Sequence, residues 1–240
     1  MGFGKRASRK LIESVYRNLD QAMRELGFLK KSDGFYEFIV TSEFEGVIVL
    51  SRSVGMRNGA LEVTCYPALR NRQYMEICKC VTTKLHAGMC DLAYSENIGY
   101  LMPENKFQGW IFEEGKDHVN KVKRIVRVIK KYGMPFLKSN ASLKKLARIL
   151  RAEWRTWRDS NILIKLAIIE FLLNNKAMSK KLMFEVISNA VVMNKKISKK
   201  KPSRNLAIQA YYKIARKFFM KYFDLNSVET LDTKWKRFNK

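Results

Sequence analysis

Residues 32–66 read SDGFYEFIVTSEFEGVIVLSRSVGMRNGALEVTCY, and this stretch decides the first layer of the fold. Segments 35–40, 47–54 and 60–66 are rich in β-branched and aromatic side chains, which suit a pleated, half-buried backbone. Between and before them stand Ser32-Asp33-Gly34, Glu45-Gly46 and Arg57-Asn58-Gly59, residue types that accept turn conformations. Asn58-Gly59 is the strongest of these signals, because both residues tolerate the positive φ of a type I′ hairpin. The stretch therefore predicts antiparallel strands joined by short turns.

Before this stretch, residues 6–26 place Leu11, Val15, Leu19, Ala22, Met23 and Leu26 at helical spacing, and Gly27 is set to end that helix. A helix over 72–85 and a fourth strand over 109–113 complete the amino-terminal part. Asp117 can cap a helix running to Tyr132, where Gly133 and Pro135 would stop it. Asn140 or Ser142 opens the next, to about Arg158, and Ser160, Ser179 and Ser203 precede helices over 161–173, 180–193 and 204–223. The expected fold class is α+β: an antiparallel sheet of about four strands with helices over 1–138, then an all-α, basic helical domain over 139–240.

The charge is lopsided. Residues 1–120 hold 16 Lys and Arg against 15 Asp and Glu, whereas residues 121–240 hold 31 against 7. Such a polycationic half implies a nucleic acid (DNA or RNA), an acidic protein or an anionic membrane surface as partner. On a helical wheel, Leu143, Leu146, Ala147, Leu150, Trp154 and Trp157 share about 100° of arc, while Lys144, Arg148, Arg151, Arg155 and Arg158 share about 80° beside it. The preceding helix repeats the scheme, with Val122, Ile125, Val126 and Ile129 opposite Lys123, Arg124, Arg127, Lys130 and Lys131. Five like charges on one helical face repel unless a polyanion offsets them. Lys195, Lys196, Lys199, Lys200 and Lys201, in the low-complexity link NKKISKKKP over 194–202, read as a basic loop of the same character. Trp154, Trp157, Tyr211 and Tyr212 could stack on bases, although their helical spacing favours core packing for most of them.

Other patterns carry less. Residues 172–179 resemble the turn of a helix-turn-helix, but Leu182, Met183, Phe184, Val186 and Ile187 are too apolar for a helix exposed in a groove, so helix-pair packing is expected. Cys78, Cys80, His86 and Cys90 offer zinc-ligand chemistry, yet on a helix Cys78 and Cys80 point about 200° apart and cannot grip one ion. With Cys65 they are expected to be structural, reduced thiols, and no metal or cofactor is implied. Residues 162–173, interrupted by Lys165 and Glu170, are too short to span a bilayer. The basic opening residues Lys5, Arg6, Arg9 and Lys10 lead into an amphipathic stretch, and Arg6 breaks a myristoylation pattern. A cytoplasmic protein is expected. Nucleotide-loop, HExxH and serine-elbow motifs are absent from the sequence, and the seven carboxylates of the basic half are scattered, so no catalytic residues are assigned.

The segment over about residues 10–138 resembles a bacterial family catalogued only as a domain of unknown function. The likeness lies in Leu26-Gly27-Phe28, Lys30-Lys31, Phe35-Tyr36, Gly109-Trp110 and Gly133-Met134-Pro135-Phe136. It implies an α+β fold and a bacterial or mobile-element origin, and it transfers no catalytic residue. The expected function is a non-enzymatic nucleic-acid-associated protein, an accessory factor of a bacterial defence or plasmid system being one setting. The alternative is a protein-binding module of immunity or antitoxin type that covers an acidic partner.

Overall fold

A computed structural model describes residues 6–54, 59–82, 92–197 and 206–238. The chain divides into two compact units, Met1–Arg70 with Tyr94–Ala141, and Asn71–Ala93 with Ser142–Lys240. The second unit thus takes residues 71–93 from the amino-terminal half, which a single boundary near residue 138 did not include.

In the first unit, α1 (Arg9–Glu25) is capped by Ser8, whose Oγ accepts from the Leu11 amide at 3.1 Å. Its buried stripe is Leu11, Val15, Leu19 and Met23. An antiparallel six-stranded sheet follows: β1 (Leu29–Ser32), β2 (Phe35–Ile39), β3 (Phe44–Ser53), β4 (Leu61–Asn71), β5 (Tyr94–Ser95) and β6 (Gly109–Phe112). The spatial order is β1-β2-β3-β4-β5, and β6 also pairs with β4. Two strands are additions to the expected set. β1 is fully exposed and carries Lys30 and Lys31, as edge strands often do, so it shows no apolar alternation; β5 is two residues long.

The glycines refine the turns. Gly34, at φ 74°, makes the β1–β2 turn, and a Cβ there would clash with the Leu50 carbonyl oxygen. Gly46 is a strand residue opposite Phe38, because the β2–β3 turn falls at residues 41–43, where Thr41 Oγ1 accepts from the Glu43 and Phe44 amides. A Cβ on Gly46 would come 2.9 Å from Leu137, so this glycine permits close packing and makes no turn. The expected type I′ turn at Asn58-Gly59 falls partly on residues 55–58, outside the described residues.

The last helix of this unit does not stop at Tyr132. Its first segment, α3 (Val119–Val128), passes into a π-helical turn over Ile129–Gly133 and continues as α4 (Met134–Asn140). The Met134 amide donates to the Ile129 carbonyl across this wider turn, which lets a chain containing Pro135, with no amide donor of its own, remain helical.

The second unit is all-helical in its described residues: α2 (Arg72–Val81), α5 (Leu143–Trp157), α6 (Ser160–Leu172), α7 (Lys176–Ile197), α8 (Leu206–Tyr222) and α9 (Leu225–Phe238). The apolar α6 contacts α2, α5 and α7, and buries Leu163, Ile164, Leu166, Ala167, Ile168 and Ile169. Phe171 of α6 meets Phe218, Tyr222 and Phe223, with ring centroids 5.2–5.9 Å apart. Ser179 does not cap α7. The helix begins at Lys176, and buried Ser179 donates to the Ala167 carbonyl at 2.7 Å, tying α7 to α6. Leu182, Met183, Val186 and Ile187 are buried, which is helix-pair packing and not a groove-facing helix. The apolar face of α8 likewise buries Ile208, Ile214, Phe218 and Phe219. No described helix is long and apolar enough to cross a membrane.

Candidate nucleic-acid interface

One basic face belongs to the first unit. Asp117 Oδ1 accepts from the Val119 and Asn120 amides, and these bonds hold its carboxyl below the usual range as it starts α3. Val122, Ile125 and Ile129 are buried, with α3 packed on α1, and this fixes the opposite side toward solvent. Lys123, Arg124, Arg127, Lys130 and Lys131 are all exposed there. None of the five makes an ion pair among the described residues; Lys131 lies 5.0 Å from the Tyr132 ring centroid.

The second face is on α5, in the other unit. Ser142 Oγ accepts from the Lys145 amide at 3.3 Å, and Leu146, Ala147 and Leu150 are buried against neighbouring helices. Lys144, Arg148, Arg151, Arg155 and Arg158 are exposed beside that buried stripe. Arg151 differs from its neighbours. It pairs with Glu170 of α6, a carboxylate only 1% exposed, which also accepts from Asn175 Nδ2 at 3.0 Å. Its charge is therefore already matched. Lys144, Arg148, Arg155 and Arg158 have no ion pair among the described residues. Arg158 ends α5 in the left-handed region at φ 53°, and its guanidinium lies 5.2 Å from the Trp154 ring centroid.

The aromatic residues separate clearly. The apolar stripe of α5 outruns the core it covers, leaving Trp154 half-buried and Trp157 71% exposed at the end of the helix. Tyr211 donates to Asn161 Oδ1 at 3.2 Å, whereas Tyr212 donates to Asp232 and stacks on Trp235 at 4.5 Å. Both tyrosines are thus engaged within the unit. Of the expected basic loop, Lys199, Lys200 and Lys201 lie outside the described residues, as do the side chains of Lys195 and Lys196, whose backbone continues α7 to Ile197.

Cys65 and Cys78 are buried and Cys80 is exposed, while His86 and Cys90 fall outside the described residues. The sequence reading missed Glu170 as the partner of Arg151; of the four aromatic residues that could stack on bases, only Trp157 is exposed. The available signal for the ion pair was the one carboxylate of a mostly apolar helix, a position that favours a paired charge.

These features define an α+β protein with a separate helical unit, each unit bearing a cationic helix face. Comparison with protein-family models, with curated proteins and with solved structures returned no match.

Proposed function

We propose that the protein is a non-enzymatic nucleic-acid-associated protein whose basic helix faces hold the phosphate backbone. The observation that carries this reading is the face of α5, where Lys144, Arg148, Arg155 and Arg158 stand exposed without a carboxylate partner among the described residues. Guanidinium groups match phosphate oxygens through two parallel hydrogen bonds, and exposed Trp157 at the end of the same helix offers a ring on which a base can stack. The cations of α3, which make no ion pair among the described residues, support the same chemistry on the first unit.

Backbone contacts release counterions. With roughly 6–10 phosphates engaged, affinity falls about 10³–10⁵-fold between 50 and 200 mM salt. Fluorescence anisotropy with random-sequence DNA and RNA measures this directly, and a flat salt dependence overturns the proposal. Changing Lys144, Arg148 and Arg155 together to Ala is expected to weaken binding to all sequences alike and to reduce the salt slope. Loss confined to one sequence would mean base readout instead.

A further inference from the structure

The first unit also holds a cleft that uses neither basic helix face. It opens between the start of α1 and the end of β3, where the Ala7 amide donates to the Val54 carbonyl at 3.2 Å, and its volume is about 700 Å³. Arg6, Arg17 and Arg52 line it, together with Glu13, Asp20 and Asp33. The three acids are engaged. Glu13 pairs with Arg9 at 2.7 Å, and Lys30 bridges Asp20 and Asp33 at 2.8 and 2.9 Å. Asp20 also accepts from the Tyr36 hydroxyl at 2.6 Å. Asp33 is held below its usual range first by its bond to Lys30, with Arg52 a smaller influence. Among the described residues, Arg6, Arg17 and Arg52 make no ion pair; Arg52 lies over the Tyr16 ring, 5.7 Å from its centroid.

We propose that this cleft binds a small phosphate-bearing anion, with Arg17 and Arg52 as the principal phosphate ligands and Arg6 as a third donor. Three guanidiniums lining one cleft, whose carboxylates are already engaged by Arg9 and Lys30, favour a multiply charged anion whose oxygens match the planar guanidinium fork, which phosphate and pyrophosphate groups supply. The Tyr16 hydroxyl already donates to the Leu50 carbonyl at 2.9 Å, so recognition rests on the arginines. The volume falls within the roughly 300–1,000 Å³ of small-molecule sites. A nucleotide and inorganic pyrophosphate share this chemistry. The inference does not depend on the nucleic-acid reading, since none of these residues belongs to α3 or α5.

Calorimetric titration of the full chain with pyrophosphate, ATP and adenosine in 200 mM NaCl tests it. Saturable binding of pyrophosphate and ATP is expected, with none for adenosine; tighter ATP than pyrophosphate would identify a nucleotide, and equal affinity a phosphate group alone. Arg17→Gln and Arg52→Gln are each expected to weaken binding about tenfold or more. Both positions are exposed, so the thermal transition should be unchanged. The α5 variant Arg148→Gln/Arg155→Gln should retain full affinity. No saturable binding by either polyanion, indifference to Arg17→Gln and Arg52→Gln, or an equal loss in the α5 variant would each overturn the site.

Discussion

At the carboxyl end of α2, the exposed Cys80 sulfur lies 2.9 Å from the Lys221 ammonium on the last turn of α8. That hydrogen bond is the largest influence on the thiol and holds it below its ordinary range, with Tyr222 adding to the effect and Glu76 opposing it. A lowered thiol means that the thiolate, the nucleophilic form, persists as pH falls below the usual cysteine midpoint. Alkylation of Cys80 by iodoacetamide, followed by peptide mass spectrometry, should therefore show its rate midpoint below that of a free cysteine. Lys221→Met removes the cation and is expected to move the midpoint up, slowing alkylation at pH 7. An unchanged profile would mean that the ammonium does not set the reactivity. Cys65 provides an internal contrast, since full burial pushes its thiol upward and shields it from reagent.

The pairing of α5 with α6 separates structural from surface arginines on one helix. Glu170 has its charge buried in an apolar helix, and Arg151 supplies the opposite charge. Arg151→Ala strands that carboxylate and is expected to cost about 3 kcal/mol in urea unfolding. Arg148→Ala and Arg155→Ala, without such partners, should fall within about 0.5 kcal/mol of the parent. Equal effects at all three positions would remove the distinction. The helical period alone sorted the buried Leu146, Ala147 and Leu150 from the exposed cations, because that sorting is a property of one helix. Which cation is neutralised was not legible, since the answer lies 19 residues further on another element. Which of the four candidate aromatic residues reaches the surface was not legible for a related reason: the spacing says that Trp157 shares the stripe, and only the reach of the packed neighbours says where the stripe becomes surface. Gly133 and Pro135 read as a stop, yet the π turn absorbs the proline. Ser179 reads as a cap, but its hydroxyl serves a neighbouring helix.

The charge asymmetry survives the redistribution of the chain between units. The second unit carries 27 Lys and Arg against 9 Asp and Glu, the first 20 against 13. Strand chemistry and helix periodicity made the α+β class legible, but a discontinuous unit leaves no local trace. α2 has the sequence of an ordinary helix after a strand, and only its packing on α6 and α8 assigns it to the second unit. That assignment has a thermodynamic consequence. α2 buries Tyr74, Ile77, Cys78 and Val81. Burial of large apolar side chains contributes roughly 1.5–3 kcal/mol each, so losing several removes much of the roughly 5–15 kcal/mol that holds a domain together. A fragment of residues 142–240 lacks this helix, leaves the facing surfaces of α6 and α8 uncovered, and keeps nearly all the repelling positive charge. It is expected to give a broad, weakly cooperative thermal transition by circular dichroism, where the full chain melts sharply. A fragment that melts sharply and near the temperature of the full chain would show that the carboxyl-terminal helices form a domain without α2.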